Sequence, residues 1–268
     1  MKPLDVITSV DFGYRLVWAE REYLARLALV PVAVKLLTLG IVMALDWQQE
    51  YLRSAVLMLP SFFAYGWMLS HLSRLVFYGQ RWPFRPSGDA VIDGVMLDDR
   101  AHGISAGTLY FAVICYLLAG INGILTMSLS DMKVDGPPGP GGHEPGGVAG
   151  LAALAFLVFF LWSVRLLFLY IPAAAGLSVR PIVRAANGMM LSLQMAGTAL
   201  VSFVPVALIA WWVTMAVIPK TLTPQEPSTG LIVFLTLWWV LASVLAQMIV
   251  TASIAFGIKT MMSDKKKP

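Results

Sequence analysis

The residues best equipped for chemistry lie between positions 71 and 102. The connection 79–103 carries Asp89, Asp93, Asp98, Asp99, Arg100 and His102, and His71 sits shortly before it. Aspartates beside a membrane can hold a divalent cation for phospholipid chemistry, and a histidine pair can ligate a metal or a haem iron. His71, Asp93, Asp98, Asp99 and His102 are therefore taken together as a candidate polar cytoplasmic site. The pattern is incomplete, however. The two histidines have no supporting ligand cluster, so no metal or other cofactor is expected. Without a ligand, the connection reads as a solvated loop with a short amphipathic turn around Val91, Val95 and Met96.

A CDP-alcohol phosphotransferase would start its motif as Asp93-Gly94 does. It would continue with Ala-Arg where this chain has Met96-Leu97, and it would need later aspartates where residues from Ser105 on are apolar. Nucleophile elbows, phosphate-binding glycine loops and His-Glu-x-x-His patterns are absent as well.

A second set of residues lies inside apolar stretches. Lys35 and Arg165 are charged, and charges within a membrane are functional candidates by default. Their long stems also allow a plain anchoring role, with the head reaching the interface. Trp211, Trp212, Trp238 and Trp239 fall at comparable depth, as an aromatic belt or a ligand-stacking cluster. These six residues are the candidate substrate or lipid-headgroup contacts. No Asp or Glu lies deep in a span; Asp46 and Glu50 are at a boundary. A proton or sodium relay built on carboxylates is therefore not expected.

The elements that must position these residues follow from composition. The 268 residues are 58% hydrophobic and 13% charged, and mean hydropathy is +0.76. A soluble domain uses about 25% charged residues, so lipid must solvate much of this chain. A span takes roughly 20 apolar residues. Six stretches qualify, at 26–45, 51–77, 104–129, 148–171, 191–218 and 231–258. Pro31, Pro60 and Pro205 interrupt three of them. The expected fold is an all-α polytopic bundle of about six transmembrane helices.

Basic residues alternate between the connections. Fourteen of the 19 fall before span one, between spans two and three, between four and five, and after six; only Arg53, Lys133 and Lys220 occupy the opposite connections. By the positive-inside rule both termini are cytoplasmic, as in a bacterial inner membrane. The net charge of +4 then reads as orientation, and nucleic acid is not an expected partner. The lone Cys115 permits no internal disulfide. Residues 1–25, with four acids and three bases, do not look like a secretory leader. Ile7, Val10, Tyr14, Val17 and Leu24 recur there at helical spacing, which predicts an amphipathic helix in the cytoplasmic interface. Residues 261–268 form a basic tail. Gly103 with Gly107, and Gly146 with Gly150, predict close helix contacts.

Two stretches carry a family resemblance. The first is Trp18-Ala-Glu-Arg-Glu-Tyr-Leu-Ala-Arg-Leu-Ala-Leu-Val-Pro31. The second is Arg165-Leu-Leu-Phe-Leu-Tyr-Ile-Pro172-Ala-Ala-Ala-Gly176, followed by Arg184-Ala-Ala-Asn-Gly-Met-Met. The chain loosely resembles bacterial six-helix proteins of the Yip-type group and the membrane domain attached to some glycerophosphodiester phosphodiesterases. That resemblance implies a compact helical fold and no catalytic residues. The expected function is a non-enzymatic assembly, organising or accessory factor. Its partners would be membrane lipids and other membrane proteins or a second copy. The alternatives are a small-solute transporter or channel, and a lipid-active enzyme using the aspartates of 89–102.

Overall fold

The computed structural model describes residues 4–47, 50–84, 86, 88–131, 161–184, 188–218 and 228–263. Among them the chain is helical, with no strand. The helices in order are α1 (Val6–Ala19), α2 (Arg21–Ala44), α3 (Tyr51–Leu57), α4 (Leu59–Tyr78) and α5 (Ala90–Asp131). They continue with α6 (Leu161–Ala174), α7 (Arg180–Val183), α8 (Gly188–Val217) and α9 (Thr229–Ser263).

Four helices, α2, α5, α8 and α9, are long and apolar enough to cross a membrane. The pair α3 and α4 makes a fifth if its 50° bend is counted within one span. The bend falls where Pro60 occupies the second position of α4, since proline lacks the N–H that would continue the α3 ladder. Pro31 and Pro205 lie inside α2 and α8, which run through them. The expected six spans are thus reduced to four or five among the described residues. The stretch expected at 148–171 lies outside them up to residue 160, as do Gly146, Gly150 and the tail lysines. The described remainder belongs to the short apolar helix α6.

The connection expected at 79–103 is mostly helix. It ends at Ala90, where α5 begins. The Asp89 carboxylate accepts the Val91 and Ile92 N–H groups at 2.9 and 3.3 Å, filling the orphan donors of a helix start. Residues 90–103 therefore extend α5 by about 21 Å at 1.5 Å per residue.

The core sits where α4, α6 and the C-terminal half of α9 meet. Met68, Leu72, Ile171, Ile254 and Ile258 are almost wholly excluded from solvent there. Small residues set the spacing. A Cβ on Gly66 would lie 2.8 Å from the Thr108 carbonyl oxygen, and one on Gly107 would lie 2.6 Å from Ala174 Cβ. Backbones that approach this closely gain dispersion contacts, which drive helix association where lipid already satisfies apolar surface.

α1 is a helix, capped by Asp5, whose carboxylate accepts the Thr8 N–H at 3.2 Å and the Thr8 hydroxyl at 2.6 Å. These bonds hold the Asp5 carboxyl below the usual carboxylate range. Of the line expected from Ile7, Val10, Tyr14, Val17 and Leu24, Val17 and Leu24 are buried, Val10 and Tyr14 are half-buried, and Ile7 is outside. Ser9, Gly13 and Val17 are buried, whereas Ile7 is 81% exposed. The reason is close packing on α9: Gly257 faces Leu4 and Ser9, Gly13 faces Ile249 and Ser253, and the Phe12 and Phe256 rings stack at 4.1 Å. The Tyr14 hydroxyl donates to the Ser202 carbonyl on α8 at 2.9 Å.

A Cβ at position 13 would fall on Ser253 Oγ and 2.9 Å from the Ile249 carbonyl oxygen. Gly13→Leu is therefore expected to cost on the order of 1–3 kcal/mol through overpacking. Gly40→Leu, where nothing lies within 4 Å, should leave stability unchanged or slightly raised. Thermal unfolding in detergent distinguishes them; equal midpoints would show that α1 is not docked on α9.

Candidate functional site

The most heavily bonded side chain of this fold was not among the sequence candidates. Arg74, on the last turns of α4, is 1% exposed. Its Nη2 donates to Asp99 Oδ2 at 2.7 Å, its Nη1 to the Ala174 carbonyl at 3.2 Å, and its Nε to Gln80 Oε1 at 2.9 Å. Its guanidinium also lies 5.4 Å from the Tyr78 ring centroid, and the Tyr78 hydroxyl donates to the Ala175 carbonyl at 2.7 Å. Both side chains thus serve carbonyls left free at the end of α6, which is also the negative end of its dipole. Gly103 makes room for the guanidinium, because a Cβ there would lie 2.7 Å from Nη1. An arginine three residues after His71 in an otherwise apolar run was a usable signal. Its carbonyl acceptors, about 100 residues away, were not visible.

The five candidate polar residues do not converge. Asp99 pairs with Arg74. Asp98 pairs with His102 one turn on, at 3.2 Å, with both side chains about three-quarters exposed. Asp93 turns inward and accepts the Gly88 N–H at 3.3 Å. His71 is buried with its Nδ1 unpartnered, against Trp67 at 4.8 Å and Trp82 at 6.3 Å between ring centroids. Among the described residues, no three His, Cys, Asp or Glu side chains come together in a metal-holding group.

Lys35 has its ammonium against two other helices. It lies fourteen residues into α2, about 21 Å from its start. Its ammonium donates to Ser243 Oγ at 3.1 Å and stands 4.9 Å from the centroid of the Tyr65 ring. A groove of about 550 Å³ between α2 and α9 includes Lys35, Trp239 and Ser243. Arg165 is 3% exposed, lies 4.6 Å from the Trp162 ring centroid and packs flat on Gly188 at the start of α8. Its Nε and Nη1 have no hydrogen-bond partner among the described residues.

The tryptophans go separate ways. Trp211 and Trp212 are 53% and 70% exposed, Trp238 donates its indole N–H to the Ala210 carbonyl at 3.1 Å, and Trp239 lines the Lys35 groove. No stacked cluster forms among the four.

A cavity of about 860 Å³ was also missed from sequence. It lies where the α1–α2 junction meets the α4–α5 connection, with Arg21, Arg26, Arg81 and Arg100 in its wall. Arg81 pairs with Glu20 at 2.5 Å, and that bond raises the arginine's pKa further. The Tyr23 hydroxyl accepts the Trp82 N–H at 3.0 Å, and Arg100 Nη2 donates to the Arg81 carbonyl at 2.6 Å. Arg165 lines neither cavity.

Comparison of the chain with protein-family models, with characterised proteins and with solved structures finds no match.

Arg74 binds a carbonyl that has no alternative partner, whereas Asp99 is 62% exposed and can return to water. Arg74→Met is expected to cost about 3–5 kcal/mol, as for breaking a buried ionic network. Asp99→Asn should cost about 1 kcal/mol or less. Denaturation of both variants in detergent checks the order; equal losses would assign the role to the ion pair alone.

Proposed function

We propose that this chain is a non-catalytic integral membrane protein, an assembly, organising or accessory factor that works through helix, lipid and protein contacts. Four long apolar helices support the membrane reading. The observation that carries the rest is how the polar groups are used. Arg74 ties α4 to α5 and α6, the Lys259 ammonium donates to the Val76 carbonyl at 2.7 Å, and Tyr170 bonds Thr251 at 2.7 Å. Groups committed to holding helices together are poorly placed to turn over a substrate. The three loop carboxylates, serving three different partners, give no support to a lipid-active enzyme.

In this reading the chain spans a bacterial-type inner membrane six times, with the sixth crossing supplied by the region that ends in α6. Both termini and the α4–α5 connection are cytoplasmic, following the alternation of basic residues. The Yip-type resemblance belongs to the same reading. A transporter of an anionic solute is the second reading, favoured by the Lys35 groove, where a deep ammonium has a hydroxyl and a ring but no described carboxylate beside it.

Two measurements test this. The chain should resist alkaline carbonate extraction, and a fluorescent protein fused after residue 268 should mature in the cytoplasm; extraction or a dark fusion would reject the placement. Purification in mild detergent should then recover a membrane protein or lipid at fixed stoichiometry. Uptake of an anion by vesicles containing only this protein, lost in Lys35→Gln, would reject the organising role and support the transporter.

A further inference from the structure

The arginine-lined cavity combines three features that no candidate from sequence captured. The first is its charge. Four arginines and two glutamates, Glu20 and Glu22, stand in its wall, which leaves two positive charges in excess. Glu20 is engaged by Arg81. Arg26 is exposed, with no hydrogen bond or ion pair to a described residue.

The second is Arg100. It is 6% exposed, and its hydrogen bond is to a single backbone carbonyl. A guanidinium carries five N–H donors in a fixed fork, so most of them remain for a ligand in the cavity. A buried arginine without a carboxylate beside it is costly unless an anion completes it.

The third is the helix that supplies Arg100 and Met96 to the wall. The first turns of α5 carry apolar side chains outward: Val91 and Val95 are 76% and 68% exposed, while Asp93 and, beyond the exposed Asp98 and Asp99, Arg100 point inward. Trp18, 73% exposed, immediately precedes the lining residues Ala19 and Glu20. Water does not favour such an outward face, whereas the boundary between hydrocarbon and headgroups does. Tyr23 and Trp82 add aromatic rings of the kind that settle at this depth.

We propose that this cavity binds the phosphodiester headgroup of an anionic phospholipid, with Arg26 and Arg100 as the phosphate ligands. The outward apolar face of α5 lies along the acyl chains, and the cavity opens at headgroup level. Arginine suits this role because its planar donors match two phosphate oxygens at once. This rests on the membrane placement above. Carbonate extraction tests that placement separately, so an integral chain that ignores anionic lipid would sink this inference alone.

The test uses the full chain purified in neutral detergent and titrated with phosphatidylglycerol or phosphatidylcholine, with bound lipid counted by native mass spectrometry. Phosphatidylglycerol should bind one per chain, at least about tenfold more tightly than phosphatidylcholine. Arg26→Gln and Arg100→Gln should each weaken it about fivefold, the scale of one arginine at an anionic surface. Arg180→Gln, exposed and outside the cavity, should change nothing. Because Arg100 also holds a loop carbonyl, its variant is scored only if its unfolding midpoint matches the parent; Arg26→Gln stands by itself. Equal binding of the two lipids would overturn the proposal, as would an undiminished Arg26→Gln or an equal loss in Arg180→Gln. Inorganic phosphate blocking the site at concentrations where phosphatidylglycerol is not retained would also overturn it, in favour of a soluble ligand.

Discussion

A helix that ends inside a packed bundle leaves carbonyls with no partner of their own, and in an apolar surround each uncompensated group is expensive. The end of α6 shows the solution adopted here. Arg74 and Tyr78 reach across from α4 to the carbonyls of Ala174 and Ala175, and Asp99 on α5 holds the guanidinium from its other side. Behind them Gly176, with φ +67°, turns the chain away, while the Leu177 N–H donates to the Pro172 carbonyl at 2.9 Å. One cation thus ties three helices around a helix terminus. Lys259 repeats the device at the end of α4, where it donates to the Val76 carbonyl.

These long-range bonds require short distances between helices, and glycine supplies them. Gly103 and Gly107, one turn apart on α5, admit the Arg74 guanidinium and Ala174 respectively. Gly13 brings α1 against α9 in the same way, beside the Ser202–Ser253 hydrogen bond at 3.1 Å. The cost of glycine within a helix is on the order of 1 kcal/mol relative to alanine. The contacts it opens on both sides offset that cost, and the helices persist through every one of these positions.

Much of this was legible in the sequence, and the exceptions share a cause. Apolar length identified α2, α5, α8 and α9 because a span must be long, whatever it packs against. The close contact at Gly103 and Gly107 was legible because small residues one turn apart have a common use in membranes. The close docking of α1 on α9 was not legible, because apolar spacing finds Val17 and Leu24 but not small residues. The contact is made by Ser9 and Gly13, whose merit is small size, and Ile7 is left outside. Residues 90–103 were read as loop because their acids and arginine suggested water; Asp89 starts a helix there, and two of those charges turn inward. Arg74 was counted as a loop charge because its acceptors, the Asp99 carboxylate, the Gln80 amide and the distant Ala174 carbonyl, are gathered around it only by the fold.

The remaining cations fall into two kinds, and the difference bears on function. Arg74 and Lys259 end on carbonyls of other helices, so their charge is absorbed by the fold. Lys35, Arg165 and Arg100 have fewer partners than donors, and no described carboxylate pairs with any of them. A buried cation kept without a counter-ion is poor design for stability alone, since an apolar side chain of similar shape is often as good or better. Arg165 lines neither of these two cavities, and no described residue accepts from its Nε or Nη1. Lys35 faces a groove lined by the hydroxyls of Thr236 and Ser243. Arg100 faces the cavity at the α1–α2 junction, together with three more arginines and beside the outward apolar turns of α5. Of the three, Arg100 alone has further arginines beside it in a cavity that adjoins exposed apolar turns.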